Sequence, residues 1–471
     1  MIDWSLALRN LLRNRRRSLS TLLALAIGLA SILLFSGFKA NLTFTGLTMY
    51  AQGGGHLQVQ HRDYFLYGSG NPAAYGMPGY AELVEKIRND AVLRPMLTVV
   101  TPTLRFGGLA GNFDAGISRT VIGTGSVAED VNRMRQWNEF AIPVNRPRFP
   151  LEGTPADSAI VGFGVARVLQ LCAKLKVDDC PTPDTVEAAP VGKAVALPND
   201  IAALAQLEGN SAAAQQNAAA GTGARMELLS SSSRGAPNVA SLNVVVAENQ
   251  GFKELDEVSL IVHLAQAQRL VFGRGTPRVT SIMVLLNKSA DEPAAAARLS
   301  EIVAAHASSQ PLVVRRFDEL NPFYVQSEQL FDVIFGFIFV LIGGIVLFTV
   351  GNTMNTAVVE RTVEVGTLRA IGSRRGLIRR LFVVEGFVLG CAGALLGLTA
   401  AVVLAAIINA SGITWLPPGS SERMALQVRV MSDLFTVVGT TLSLVLIATA
   451  SAWWPAWRAA NLNMVDALRH A

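Results

Sequence analysis

The chain has 471 residues, of which 51% are hydrophobic and 16% charged, and its mean hydropathy is +0.37. This composition is too apolar for one soluble globule, and the apolar residues are concentrated in four blocks. The formal net charge is +5. Because the basic residues lie beside the apolar blocks and are not interleaved with aromatic residues, the sequence excludes nucleic acid as a partner.

The first 40 residues predict a surface helix followed by a membrane anchor. Residues 1–18 place apolar and arginine side chains on different helical faces, which is typical of an interfacial elbow helix on the cytoplasmic side. An alternative is that these arginines only orient the chain. Residues 19–40 form transmembrane helix 1, because the apolar run is long enough to cross a bilayer and too long for the core of a cleaved signal peptide.

Residues 41–329 predict a large α+β domain between the first and second membrane helices. A strand–helix–strand pattern occurs near its start, at residues 56–106, and again near its end, at residues 279–317. The simplest arrangement pairs both units in one subdomain and leaves the intervening chain as a second. Residues 172–238 form an insertion. Within it, residues 198–238 are rich in Ala, Asn, Gln, Gly and Ser, and this composition predicts that at least part of this segment is a mobile loop.

Candidate sites within this domain are few. Cys172 and Cys180 form a candidate disulfide, since an oxidising compartment would permit the bond, although their spacing leaves the pairing open. The five histidines lack HExxH or CxxC companions, so no metal site is predicted. The chain also lacks a phosphate-binding loop and a nucleophile elbow, so we predict that it is not an enzyme.

Three further apolar runs complete a membrane α-helical fold with four transmembrane helices. Basic residues cluster before the first span, between the second and third spans, and after the fourth, so the positive-inside rule places these segments and both termini in the cytoplasm. The predicted segments are transmembrane helix 2 at 330–359, a cytoplasmic coupling segment at 360–380, helix 3 at 381–410, a short external loop at 411–433, helix 4 at 434–454 and a cytoplasmic tail at 455–471.

Charged residues are scarce inside these spans. Asp332 and Glu385 are the internal candidates, and both fall near helix ends. Because ion-coupled transporters place ionisable groups deep in the membrane, this class is disfavoured.

The segment 360–380 has helical periodicity. It predicts an amphipathic cytoplasmic helix that ends at Gly372. One stripe is apolar or small, a second combines arginines with valine, and a third is acidic. The three stripes are Val363, Thr367, Ala370 and Ile371; Arg361, Val365 and Arg369; and Glu360 and Glu364.

The third span carries a strip of small residues on one face. The strip permits close approach of a neighbouring helix, and the sequence leaves open whether that helix belongs to the same chain or to a second copy. Its members are Gly386, Gly390, Gly393 and Gly397.

Residues 360–386, ERTVEVGTLRAIGSRRGLIRRLFVVEG, resemble the signature of the FtsX-like permease domain found in MacB, FtsX and the lipoprotein-releasing LolC and LolE proteins. PAWRAANLNMVDALRH at 455–470 and LALRNLLRNRRRSLST at 6–21 resemble the tail and the entry segment of that family. GGGHLQVQHRDYF at 53–65 leans toward the LolC/LolE branch. The chain departs from the family in three respects: it has no fused ATPase domain as in MacB, it carries the long insertion, and Asn463 and Met464 replace the usual Asp-Pro.

The resemblance implies a type VII ABC transporter permease. In that family two permease chains bind two ATPase subunits, and ATP-driven closure moves the outer domains by mechanotransmission. The chain itself then needs no cofactor, with ATP and magnesium on the ATPase, and Glu385 braces the start of the third span. The implied ATPase-coupling residues are Glu360, Arg361, Glu364, Gly366, Arg369, Ala370 and Gly372.

Three functions stay open at this stage. The first is extraction of lipoprotein or another amphipathic cargo from the bacterial inner membrane. The second is MacB-like efflux with a periplasmic adaptor and an outer-membrane duct, and the third is FtsX-like activation of a cell-wall hydrolase. The implied partners are a cytoplasmic ABC ATPase dimer, a second permease chain that is identical or paralogous, membrane lipid, and a periplasmic chaperone, adaptor or hydrolase.

Overall fold

The structure is a computed structural model that describes residues 15–143, 147–177, 224–232, 235–306, 310–417 and 423–462. The described residues fall into two compact units. The helix unit lies within Met1–Leu47, Asn321–Trp415 and Met424–Ala471, and the sheet unit lies within Thr48–Leu320 and Leu416–Arg423.

The helices are α1 Arg15–Gly54, α2 Tyr64–Tyr67, α3 Tyr80–Asn89, α4 Ala128–Gln136, α5 Phe163–Val168, α6 Cys172–Leu175, α7 Lys253–Asp256, α8 Leu264–Phe272, α9 Glu292–Ala305, α10 Phe317–Leu320, α11 Pro322–Glu360, α12 Thr362–Ala370, α13 Arg375–Ala410 and α14 Leu434–Ala460. The strands are β1 Leu57–His61, β2 Met77–Pro78, β3 Leu97–Asn112, β4 Ile117–Ser126, β5 Ser158–Gly162, β6 Ala224–Ser231, β7 Pro237–Glu248, β8 Ser259–His263, β9 Arg278–Val279, β10 Ser281–Leu286, β11 Leu312–Arg316, β12 Thr414–Trp415 and β13 Met424–Ala425.

Among the described residues, four helices are long and apolar enough to cross a membrane: α1, α11, α13 and α14. The prediction of four apolar helices is therefore confirmed. All four extend beyond the predicted spans, because the apolar pattern identifies only the part of each helix that suits lipid. α1 continues to Gly54, where the left-handed φ of +75° at Gly55 ends it. Pro322 stands in the first turn of α11, and the Asp433 carboxylate accepts the N–H groups of Phe435 and Thr436 at the start of α14.

The two predicted strand–helix–strand units pair within one sheet, which confirms that prediction. β1 is antiparallel to both β10 and β11, with Val59 opposite Ile282 on one side and Val314 on the other. β10 continues the sheet to β3. The helices of the two units, α3 and α9, bury Leu83 and Leu299 in the same hydrophobic core. Segments from opposite ends of this domain therefore form one α+β layer pair.

An ion pair also joins these two helices. The Arg298 guanidinium on α9 lies 2.7 Å from a carboxylate oxygen of Asp90, the residue that follows α3. The N–H groups of Val92 and Leu93 donate to the same carboxylate. The hydrogen bond from Arg298 is the main cause that lowers the pKa of Asp90 to about 2.

Six strands of the sheet unit close into a barrel in the order β3, β4, β8, β5, β7 and β6, because β6 returns to pair with β3. β3 belongs both to the barrel and to the sheet that contains β11, β1 and β10. Its part up to Thr103 pairs with β10, and its part from Leu104 pairs with β4. The Phe106 ring fills the interior over Gly123, where any side chain would clash with it. The glycines of the GTGS sequence at 123–126 therefore serve packing. The sequence predicted a second subdomain here without predicting that it closes.

Part of the insertion at 172–238 is ordered into strands, while the mobile loop expected in at least part of 198–238 stays a prediction. Its last residues form β6 and the start of β7. Ala224, Met226 and Leu228 are buried in alternation with exposed residues, a two-residue period that composition alone does not reveal. Residues 178–223 lie outside the described residues.

Candidate functional site

A short helix, α12, follows α11 after one non-helical residue, Arg361, whose φ is −105°. Thr362 stabilises this junction, since its Oγ1 donates to the carbonyl oxygen of Val358 at 3.0 Å. At the other end Gly372 has a φ of +98°, in the left-handed region that favours glycine, and its N–H donates to the carbonyl oxygen of Arg369 at 3.0 Å. α12 is thus a separate helix with a defined start and stop.

Arg361 and Glu385 form a buried ion pair between this junction and α13. The distances are 3.0 Å from Nη1 to Oε2 and 3.4 Å from Nη2 to Oε1. Arg361 is 4% exposed and Glu385 is 3% exposed. Two parallel bonds to one carboxylate fix the orientation of the guanidinium as well as its position. Arg361 was predicted as a coupling residue. It is buried inside the helix unit, so it positions the start of α12 through its ion pair with α13.

Arg369 also points inward from α12. Its Nη1 donates to the carbonyl oxygens of Ala460 at 3.2 Å and Leu462 at 2.9 Å. These carbonyls lie at the C-terminal end of α14, where a cation is favoured by the unpaired acceptors and by the helix dipole. Val365, one turn before Arg369, is buried in a cluster with Phe382 of α13. The Arg361–Val365–Arg369 stripe predicted from the sequence is therefore the face that packs on α13 and α14.

The opposite side of α12 is exposed and partly apolar. Val363 is 39% exposed, Leu368 43% and Ile371, just after the helix, 80%. Glu364 and Ala370 are exposed on the same short helix. Apolar side chains of this size on a polar-rimmed surface are typical of a protein-binding site. We call Val363, Glu364, Leu368, Ala370 and Ile371 the α12 surface.

The predicted coupling residues thus divide into two groups. Glu360, Glu364, Ala370 and Gly372 are exposed, while Arg361 and Gly366 are buried and Arg369 is half-buried. Leu368 was not predicted, because its position one residue from the arginine stripe does not reveal its exposure. The capping hydroxyl of Thr362 was also missed, since only the helix break at Arg361 gives it a role.

The glycine strip of α13 lies in contact with helices of the same chain. A Cβ on Gly386 would lie 2.5 Å from the Cβ of Ala452 on α14. A Cβ on Gly393 would lie 2.5 Å from the Cβ of Leu25 on α1. Gly390 likewise faces α14, and Gly397 faces α1. Successive turns of the strip therefore let α14 and then α1 approach α13 closely.

The remaining candidate sites are in the sheet unit. Cys172, at the start of α6, is disulfide-bonded. Its predicted partner Cys180 lies outside the described residues, so the pairing stays a prediction. No group of three or more His, Cys, Asp or Glu side chains that could hold a metal ion occurs among the residues described.

Comparison with known proteins finds a family match within the helix unit. Residues 333–464 match the family model described as FtsX-like permease C-terminal. The macrolide export ATP-binding/permease protein MacB of Sodalis glossinidius is 26% identical over 194 residues, which are 41% of this chain and 28% of that protein. An uncharacterized ABC transporter permease of Methanocaldococcus jannaschii is 31% identical over 121 residues, which are 26% of this chain and 28% of that protein.

Solved structures that are similar include the extracellular domain of the noncanonic ABC-type transporter YknZ from Gram-positive bacteria. It is 10% identical, with a TM-score of 0.28, and the match covers 55% of this chain and 99% of that domain. The chain thus spans less than a third of the length of the two relatives above. Residues 333–464 are thus similar to FtsX-like permeases, and parts of the chain are similar to MacB and to another ABC transporter permease.

Proposed function

We propose that this chain is the permease subunit of an ABC transporter and that a separate ATPase binds the α12 surface. The observation that carries the proposal is the division of α12 into two sides. One side is held by Arg361, Val365 and Arg369, and the other presents exposed Leu368 and Ile371. A partner that binds the exposed side and displaces α12 would also displace α13 and α14, because the inner side of α12 is hydrogen-bonded to both helices.

The transmission pathway that we propose continues through α1. This helix is unbroken from Arg15 to Gly54, and its last two turns belong to the core of the sheet unit. There Ala51 packs with Trp137, and the Gln52 side chain donates to the carbonyl oxygen of Trp137 at 2.7 Å. A displacement of α1 along its axis would therefore act directly on that core. This supports mechanotransmission. The proposed pairing with a second permease chain, identical or paralogous, rests on the resemblance to FtsX-like permeases.

The proposed location is the bacterial inner membrane, with both termini and α12 in the cytoplasm and the sheet unit in the periplasm. Support comes from the arginines at 374, 375, 379 and 380, which flank the start of α13. Under this orientation ATP and magnesium stay on the partner ATPase, and the chain carries no catalytic residue.

For the cargo we propose a lipoprotein or another amphipathic molecule of the membrane. The supporting feature is a row of exposed apolar side chains across three neighbouring barrel strands. Leu109 pairs with Leu229, and Leu229 pairs with Val239, in the ladders of β3, β6 and β7. These residues are 39%, 39% and 58% exposed. Such a row would suit contact with an acyl chain or an apolar peptide.

The coupling proposal is tested by co-expressing the full chain with candidate ABC ATPases of the same genome. Ile371→Asp places a charge on the α12 surface without disturbing a buried contact. Ile413→Asp is the matched control, since Ile413 is 52% exposed just beyond the opposite end of α13. We expect Ile371→Asp to abolish co-purification of the ATPase and Ile413→Asp to retain it. Equal ATPase recovery with both variants would contradict the proposal.

The cargo proposal is tested after reconstitution with the ATPase that co-purifies. ATP-dependent release of a lipidated protein from the vesicle is the expected result. Co-purification with a periplasmic adaptor would instead favour efflux, and retention of a cell-wall hydrolase by the sheet unit would favour signal transmission.

A further inference from the structure

A second surface of the helix unit joins basic and aromatic side chains. Arg375 and Arg379 lie one turn apart on the first two turns of α13. Trp453 and Trp457 lie one turn apart near the end of α14. The Arg379 guanidinium carbon is 5.0 Å from the centre of the Trp453 ring, and Arg375 Nη1 is 3.4 Å from Oδ1 of Asn461. We call Arg375, Arg379, Trp453 and Trp457 the Arg–Trp surface.

These contacts leave the arginine donors available. A guanidinium over an indole face is attracted through the ring's electron density, so its N–H groups stay free for an acceptor in its own plane. In the part of the chain that the structure describes, the Arg379 guanidinium has no hydrogen-bond acceptor. Arg375 donates one hydrogen bond, from Nη1 to the side-chain amide oxygen of Asn461. Two preoriented guanidinium groups on adjacent turns match the oxygens of a phosphate.

The tryptophans indicate where this surface lies. Trp453 is 54% exposed and Trp457 52% exposed, at the end of a long apolar helix. Tryptophan is enriched at membrane–water interfaces, with its ring among the lipid headgroups. Leu442 and Leu446 precede Trp453 on the same face of α14 at helical spacing, and they are 58% and 68% exposed. Apolar surface for an acyl chain therefore leads directly to the basic end.

We propose that the Arg–Trp surface binds an anionic phospholipid, with the lipid phosphate on Arg375 and Arg379 and an acyl chain along Leu442 and Leu446. The two positive charges favour a headgroup without an ammonium group, because one phosphate then faces no competing cation. The bound lipid would hold the start of α13 and the end of α14 together at the bilayer surface. This proposal requires only that the four helices cross a membrane, and it is independent of the identity of the ATPase.

The test uses the purified full chain in vesicles of phosphatidylcholine with a minor fraction of brominated phosphatidylglycerol. Bromine quenches nearby tryptophan fluorescence, so Trp453 and Trp457, together with the exposed Trp454 beside them, report on lipid at this end of α14. The variant is Arg375→Gln with Arg379→Gln. The matched control is Arg374→Gln with Arg380→Gln, which removes the same charge from the same end of α13, one arginine just before the helix and one on another face of it. Both comparisons are repeated with brominated phosphatidylcholine.

We expect the wild-type chain to be quenched more by phosphatidylglycerol than by phosphatidylcholine. The Arg375/Arg379 variant should lower the apparent affinity for phosphatidylglycerol about fivefold for each arginine lost, and the control should retain the preference. Equal loss in both variants would overturn the proposal in favour of a diffuse charge effect. Reversal of quenching by millimolar inorganic phosphate would assign the surface to a free anion. An unchanged lipid preference with reduced ATPase co-purification would assign it to a protein.

Discussion

Arg361, at the junction before α12, forms a two-point ion pair with Glu385 in the third turn of α13, and the pair is almost fully shielded from solvent. The Nε of Arg361 is buried and has no hydrogen-bond partner in the described residues. Arg361 is therefore buried with fewer hydrogen-bond acceptors than it has donors. The buried charge of Arg361 is therefore stabilised mainly by the Glu385 carboxylate.

Glu385→Gln should destabilise the protein by about 3–5 kcal/mol, because it leaves the Arg361 charge buried without a counterion. The measurement is thermal unfolding of the purified full chain in detergent. The double variant Arg361→Met with Glu385→Leu should recover most of that loss, since it removes both charges and keeps the volume. A single variant as stable as the wild type would show that water reaches this pair.

The glycine strip gives a second prediction. Gly386→Ala should weaken the packing of α13 on α14, because its new methyl group would lie 2.5 Å from the Cβ of Ala452. A cost of about 1–3 kcal/mol is typical of such overpacking. Gly344→Ala on α11 is the control, since a Cβ there meets nothing within 4 Å. The thermal midpoint should fall for Gly386→Ala alone, and parallel behaviour of the two variants would contradict the close approach.

α12 and the barrel show what the sequence could and could not predict. The periodicity of α12 identified the Arg361–Val365–Arg369 stripe, because helical spacing depends only on local geometry. It did not reveal which stripe faces inward, since that depends on the positions of α13 and α14. The closure of the barrel was unpredictable for the same reason: β6 and β3 are far apart in sequence, and their pairing involves only three residues of each strand.

His56 predicts a pH dependence of the sheet unit. Its ring is fully buried, Nδ1 accepts the N–H of Leu286 at 3.2 Å, and Nε2 lies 3.0 Å from Oγ of Ser289, which donates to Glu139. Burial lowers the pKa of His56 from 6.5 to about 4. Between these values the unfolded chain binds a proton that the folded chain does not, so stability should fall as the pH drops from about 6.5 to about 4.

The check is thermal unfolding of the full chain across that pH range. His56→Asn should flatten the slope, because the Asn Oδ1 still accepts the N–H of Leu286 and cannot be protonated. His61→Asn, five residues along the same strand region, should leave the slope in place. A wild-type stability that does not change over this range would contradict a neutral, buried His56.

Trp137 gives a prediction for the end of α1. The Trp137 side chain is 7% exposed and packs against Ala51, so Trp137→Ala should cost about 3–5 kcal/mol and loosen this contact. Hydrogen exchange of residues 48–54 should accelerate. Phe113→Ala is the control, because Phe113 is 77% exposed and its loss should leave that exchange unchanged. Equal protection of residues 48–54 in wild type and Trp137→Ala would show that Trp137 does not hold this part of the helix.

Glu364 and Arg369 were both predicted as ATPase-coupling residues, but they face different surroundings in the structure. Arg369 holds the carbonyl oxygens of Ala460 and Leu462, so Arg369→Glu should lower the thermal midpoint as well as any ATPase binding. Glu364 is exposed on the α12 surface, so Glu364→Lys should reduce ATPase co-purification. Its free energy of unfolding should stay within about 0.5 kcal/mol of the wild-type value. Arg369→Lys keeps the charge and should restore part of the stability, because an ammonium can still donate to the helix end. Loss of stability in Glu364→Lys would place that residue in the internal structure of the helix unit and remove it from the coupling surface.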